Sequence, residues 1–164
     1  MKVQSIEDLF LDELRDLYSA EKQITRALPK LVKAASAEEL SAAFDSHLQE
    51  TKGQVERLEE IFEKLGKKGT GKTCEGMKGV LEEGSEVVQE IEKGPIRDAG
   101  LIAAAQKVEH YEIAGYGSVR SFAELLGKSE IVELLEETLE EEKAADEKLT
   151  KISESVNQEA QTAA

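Results

Sequence analysis

Apolar residues recur along this chain every three or four positions, the spacing of one face of an α-helix, and four long stretches carry the pattern. The first runs Ile6, Phe10, Leu14, Leu17, Glu21, Ile24, Leu28, Leu31. Ser5 precedes it as an N-cap, Glu7 and Asp8 sit where the helix dipole favours negative charge, and Pro29 predicts a kink or break near the far end. The second follows Ser36, with Glu39 three residues on as a capping box, and runs Leu40, Phe44, His47, Thr51, Gln54, Leu58, Ile61, Leu65 until Gly66 closes it. The segment KKGTGKT reads as a loop. Residues 75–92 then form a shorter amphipathic helix through Met77, Val80, Leu81, Val87, Val88 and Ile91, stopped by Gly94 and Pro95. A third long helix spans about Arg97 to Leu126, with the stripe Ile102, Ala105, Glu109, Glu112, Tyr116, Val119 and a stop near Gly127. The fourth starts at Ser129 and continues through Ile131, Leu135, Thr138, Glu142, Leu149 and Ile152. The final NQEAQTAA reads as a frayed end, which divides the chain into a bundle domain, 1–155, and a flexible tail, 156–164.

Two long helices, a short helix in a crossover and two more long helices predict an all-α fold, a ferritin-like four-helix bundle with a short fifth helix in its one long connection. An internal repeat supports this order. An offset of 91 residues places Glu21 on Glu112, Glu50 on Glu141, Lys52 on Lys143, Leu58 on Leu149, Ile61 on Ile152 and Glu63 on Glu154, with no gap between the pairs. Leu40 and Ile131, and Phe44 and Leu135, keep their apolar character under the same shift.

Composition narrows the picture. The 164 residues suit one domain, and with four Phe, three Tyr and no Trp its core must be mostly aliphatic. A net charge of −14 opposes nucleic acid or an anionic membrane surface as partner, since no basic patch is segregated. The single cysteine, Cys74, excludes an internal disulfide and a four-cysteine metal module, and reads as a loop-edge thiol without special role. No apolar run approaches ~18 residues and the amino terminus lacks a signal-peptide pattern, so a cytoplasmic location is expected.

The chemistry lies where the apolar stripes are interrupted: Glu21 on the first long helix, His47 with Glu50 on the second, Glu109 with Glu112 on the third, Glu142 with Asp146 on the fourth. In an assembled bundle these breaks meet at one level. A lone buried carboxylate costs several kcal/mol or takes up a proton, so several converging ones call for cations. Bundle chemistry offers a template, a Glu from each of two helices and a Glu-x-x-His pair from each of the other two. Glu21 and Glu112 fit the single-Glu roles. The second helix carries the pair reversed, His47-x-x-Glu50, and the third adds Glu109 one turn before Glu112. On the fourth, Glu141 follows from the repeat register and Glu142 from the helical phase, and both stand as candidates. Asp146, four residues beyond Glu142, replaces the missing His or supports the ligands from outside. Taken singly, Glu50, Glu109 and Glu141 could each face solvent on a long helix. An oxygen-rich set with one or two imidazoles suits two iron ions, with manganese the alternative. His110 is turned to the side of its stripe and reads as a surface or interhelix histidine. Tyr18, at the repeat position of Glu109, and Tyr111 could hydrogen-bond a ligand carboxylate, with core packing the commoner role.

The stretches SIEDLFLDELRDLYSAEKQITRALPKL, AFDSHLQETKGQVERLE, RDAGLIAAAQKVEHYEIAGYGSVR and LLEETLEEEKAADEKLT resemble the YciF-like bacterial stress proteins, ferritin-like helical proteins related in architecture to rubrerythrins. The resemblance covers Val3 to about Ser155. It implies a ferritin-like fold, a homodimer and a dinuclear metal site, and by analogy with rubrerythrin-type sites it carries over to Glu21, Glu50, Glu109 and Glu112. It departs at Gly53 and Ala144, three residues after Glu50 and Glu141, where the pattern has His. Three functions are compatible with this reading. One is an oxidative-stress metalloprotein reacting with peroxide or oxygen, which needs an external reductant because no cysteine-ligated electron-transfer module is present. The others are iron sequestration or structural metal binding without turnover, and a metal-free interaction bundle.

Overall fold

The computed structural model describes residues 2–163, and over these residues it holds five helices and no strand. They are α1 (Ile6–Ala34), α2 (Glu38–Leu65), α3 (Glu75–Glu90), α4 (Pro95–Leu125) and α5 (Ser129–Thr162). Short connections join α1 to α2 and α4 to α5, so each pair folds back as a hairpin. The long helices close a ring in which α1 packs on α2 and α4, and α5 packs on the same two, while α3 lies outside against α4 and α1. Gly66 and Gly127 adopt left-handed φ values of 62° and 68° at the ends of α2 and α4, where a residue with a Cβ would be strained.

The interior is divided. Ile24, Leu28, Leu40, Phe44, Ile102, Leu149 and Ile152 belong to one apolar cluster. Phe10, Leu14, Leu17, Leu58, Ile61, Tyr116, Val119 and Leu135 belong to a second. Between them come Glu21 on α1, His47, Thr51 and Gln54 on α2, Glu109 and Glu112 on α4, and Thr138 and Glu142 on α5, all of them nearly excluded from water.

Several local expectations change. Pro29 does not break α1, which continues to Ala34; the ring lies on the exposed face, where water can solvate the carbonyl left without a partner. Ser36 does not cap α2. The N-cap is Ala37, which has no side-chain acceptor to offer, and the buried carboxylate of Asp98 on α4 accepts instead from the Ser36 and Ala37 backbone N–H groups, both at 2.8 Å. The expected flexible tail from 156 is regular helix to Thr162, because Val156 extends the stripe of Leu149 and Ile152 and is itself buried, 3% exposed. Cys74 is no loop-edge thiol either. It is fully buried and caps α3, its sulfur accepting from the Met77 N–H.

Candidate metal centre

Helical phase delivers the site. On α1 Glu21 follows Leu17 and precedes Ile24; on α4 Glu109 and Glu112 lie between Val108 and Tyr116; on α5 Glu142 lies between Leu139 and Leu149. All four carboxyls are buried, and His47 of α2 is 7% exposed. One ligand atom from each of His47, Glu109, Glu112 and Glu142 lies within 4.8 Å of every other. Glu21 joins from α1: it faces Glu112, and its Oε1 accepts from the Tyr116 hydroxyl at 2.5 Å. His47 Nε2 lies 2.9 Å from Glu109 Oε1, but off the line of a good hydrogen bond, so the contact is an ion pair.

The electrostatics are those of crowded, dehydrated acids. Burial pushes Glu21 up to about 7 despite the Tyr116 hydrogen bond. Burial and then the neighbouring carboxylates drive Glu112 well above the carboxylate range, and burial with the contact to Glu109 does the same to Glu142. Glu109 goes the other way. Burial opposes its ionisation, yet the adjacent His47 charge outweighs that and holds it below its ordinary value. His47 is raised well above its own, the charge of Glu109 overcoming the burial that would discharge it. Carboxyl pairs such as Glu21 with Glu112 attract only while a proton lies between them. Once ionised, six oxygens have no donor: Glu21 Oε2, Glu109 Oε2, and both of Glu112 and of Glu142. Buried oxygens so arranged could hold a divalent cation, and four carboxylates with one imidazole make an oxygen-rich donor set of the kind that suits hard ions.

Three sequence candidates lie outside the cluster. Glu50 touches only the far nitrogen of His47, at 3.4 Å, and its side chain is 43% exposed, because three residues along a helix fall about 60° short of a full turn. Glu141, one residue and 100° from Glu142, is turned to the α2–α5 seam. Its two oxygens accept from the Arg57 guanidinium at 2.9 and 3.1 Å, and Gln54 Nε2 donates to it at 3.0 Å. Asp146 accepts from Gln106 at 3.2 Å and meets His110 Nε2 at 3.1 Å on the outside of α4 and α5. Of the two α5 candidates the phase picks Glu142, and the repeat then reads differently. The partner of Glu142 at the 91-residue offset is Thr51, and the partner of Ala145, three residues on, is Gln54. Thr51 is fully buried, but its hydroxyl donates to the His47 carbonyl at 2.8 Å. At the template positions α2 thus carries Thr51 and Gln54 in place of Glu and His, whereas α5 has the carboxylate Glu142 but Ala145 in place of His.

The tyrosines also redistribute. Tyr18 donates to Glu59 at 2.8 Å and sets its ring edgewise on Phe62. Tyr111 donates to Asp16, as does the Cys74 thiol, both at 2.9 Å. Burial pushes the thiol and the phenol up; Asp16 adds to both, and Cys74 adds to the phenol while the Tyr111 hydroxyl partly offsets the rise of the thiol. The tyrosine at the centre is Tyr116, one turn after Glu112, and its signal was available: a core phenol on the stripe of two acids must find an acceptor. Arg57 carries no comparable signal. A cavity of ≈ 110 Å³ adjoins the cluster, with His47 and Glu109 at its inner end and Ala145 in its wall.

Relatives agree with this architecture. Residues 5–162 match the family described as "Domain of unknown function (DUF892)". The protein YciF of Escherichia coli K12 is 52% identical over the whole of both chains. The crystal structure of that stress protein superposes with a TM-score of 0.92, covering 95% of this chain and 99% of that one. The YcfI structure from Rhodopseudomonas palustris is 48% identical, with a TM-score of 0.88 over 91% of this chain and 95% of that one. A Xanthomonas campestris structure, 19% identical, shares the fold alone, with a TM-score of 0.72 over 93% of each chain. Matched over nearly all its length in sequence and in structure, the chain belongs to the DUF892 family of YciF-like stress proteins.

Proposed function

We propose that this protein is a ferritin-like stress protein whose four-helix bundle holds a dinuclear, carboxylate-rich metal centre reacting with peroxide or oxygen. The observation that supports it is the group of four buried carboxylates around one histidine, with six oxygens lacking donors. His47, Glu109, Glu112 and Glu142 would hold the first ion, and Glu21, set by Tyr116, would serve a second with Glu112. Iron suits the donors best, with manganese the alternative. The ions would supply the electrons for oxidant reduction. The chain's own part is to exclude water by the two apolar clusters, to orient Glu21 through the Tyr116 hydroxyl, and to turn His47 Nδ1 toward Glu50 so that Nε2 would be free for the ion. An external reductant would restore the centre, and the protein would work in the cytoplasm as a homodimer.

Anaerobic loading of the purified chain with iron(II) or manganese(II) tests this directly. Bound metal should raise the melting temperature, by the equivalent of about 2.7 kcal/mol at a hundredfold excess over Kd, and added hydrogen peroxide should then be consumed faster than by buffer with the same ions. Tight metal without consumption would favour sequestration or a structural ion. A second reading has its own support, since Glu21, Glu112 and Glu142 are all displaced toward holding protons and could neutralise the cluster without metal. No uptake of either ion and an unchanged melting temperature would establish that metal-free bundle.

A further inference from the structure

The cavity beside the centre is shaped for something other than water. Its walls come from all five helices and are aliphatic, with Ile24, Leu28, Phe44, Val108 and Leu149 among them. Three alanines, Ala43, Ala105 and Ala145, face the space where the long side chains found elsewhere in the core would close it. Ala145 stands where the bundle template places a histidine. The exposed lining residues, Ser46, Glu50, Ala144 and Lys148, belong to α2 and α5, so the cavity reaches the surface at that seam. Its polar end is formed by His47 and the carboxylate of Glu109, whose Oε1 lies 2.9 Å from His47 Nε2.

These features define a ligand. The walls require an apolar tail. A volume of ≈ 110 Å³ is of the order of engineered apolar cavities, ~150 Å³, that admit benzene, so the tail has about six carbons. The polar end presents the Glu109 carboxylate, an acceptor that calls for an O–H donor, and a carboxylate head would meet it as a like charge. We propose that this cavity binds small organic hydroperoxides, the O–H head at Glu109 and His47 and the hydrocarbon tail among the α1, α2, α4 and α5 side chains. As a substrate assignment this rests on the metal-centre reading. Reduction breaks the O–O bond and yields the alcohol and water. It takes up two protons and two electrons, which two ferrous ions of the proposed centre would supply and an external one-electron reductant would restore.

Binding and turnover can be read separately. Metal-free protein carrying ¹³C-methyl alanine is titrated with 1-hexanol, an unreactive stand-in for the hydroperoxide, and with hexanoate. Hexanol should shift the methyl signals of Ala43, Ala105 and Ala145, and hexanoate should bind far more weakly. Filling the cavity by Ala105→Leu, or by Ala145→Leu nearer the rim should the first fold poorly, should weaken hexanol about tenfold or more. Metal content should match the unaltered chain. In iron-loaded protein the same variants should lower the ratio of tert-butyl hydroperoxide to hydrogen peroxide consumption by a similar factor. Absent methyl shifts at millimolar hexanol, equal binding of hexanoate, or an affinity indifferent to both variants would overturn the assignment even if hydrogen peroxide is consumed. Hexanol binding in a chain whose loaded form consumes neither peroxide would uphold the binding site and sink the peroxide reading instead.

Discussion

Glu112 shows how strongly one residue's worth depends on what surrounds it. Ionised and without metal, it is a buried anion among like charges, and both its oxygens lack donors. Glu112→Gln should therefore leave the metal-free chain unharmed or stabilise it by about 1–3 kcal/mol in urea denaturation, while reducing metal uptake. Equal destabilisation with and without metal would contradict this. Glu21 gives the matching pH dependence. Its folded value of about 7 lies above the ordinary 4.5, so the unfolded chain releases this proton first, and metal-free stability should fall as pH rises from about 4.5 toward 7. Saturating metal should remove or reverse that slope, since the bound ion favours the ionised form. Cys74 offers a control away from the centre. Buried, capping α3 and pushed above its ordinary value, the thiol should react with Ellman's reagent at pH 8 only as fast as the chain opens, and at the ordinary thiol rate in urea. Fast labelling of native protein would show that α3 lifts from the ring.

Between elements, the seams are fastened by charges that sequence patterns do not reveal. Asp98 of α4 accepts two backbone N–H groups ahead of α2 and is 2% exposed, so Asp98→Ala should cost about 3 kcal/mol in denaturant unfolding, and Asp98→Asn, which keeps one acceptor, distinctly less. Arg57 of α2 ties Thr138, Glu137 and Glu141 of α5 and so draws Glu141 out of the site. The helix order, the two glycine stops and the stripes were legible because each depends on local spacing, and every polar residue on the stripes of α2, α4 and α5 is buried as that spacing requires. The residues misplaced from sequence are those decided by partners far along the chain. Glu141 is claimed by Arg57, Asp146 by His110 and Gln106, and the start of α2 by Asp98. The identity of Glu142 was within reach of phase alone, and the repeat register, followed one residue out of step, obscured it.

At the scale of the molecule, the two hairpins agree in backbone and disagree in chemistry. Glu21 and Glu112 match across the 91-residue offset, but Thr51 answers Glu142 and Gln54 answers Ala145. Two ions should consequently bind with unequal affinity. Anaerobic titration should resolve two steps, and Thr51→Glu should strengthen the weaker one if the α2 position still points inward, as its complete burial implies. A single step of two equivalent ions would contradict this. The inequality has a consequence for how such a chain can arise. Two separate copies of one hairpin, paired about a two-fold axis, would share every substitution, so losing the carboxylate at one position would lose it at both. Duplication within a single gene breaks that bond. Once both hairpins lie on one chain, one half can keep its acid while the other gives it up, and one histidine position can shrink to alanine without its counterpart following.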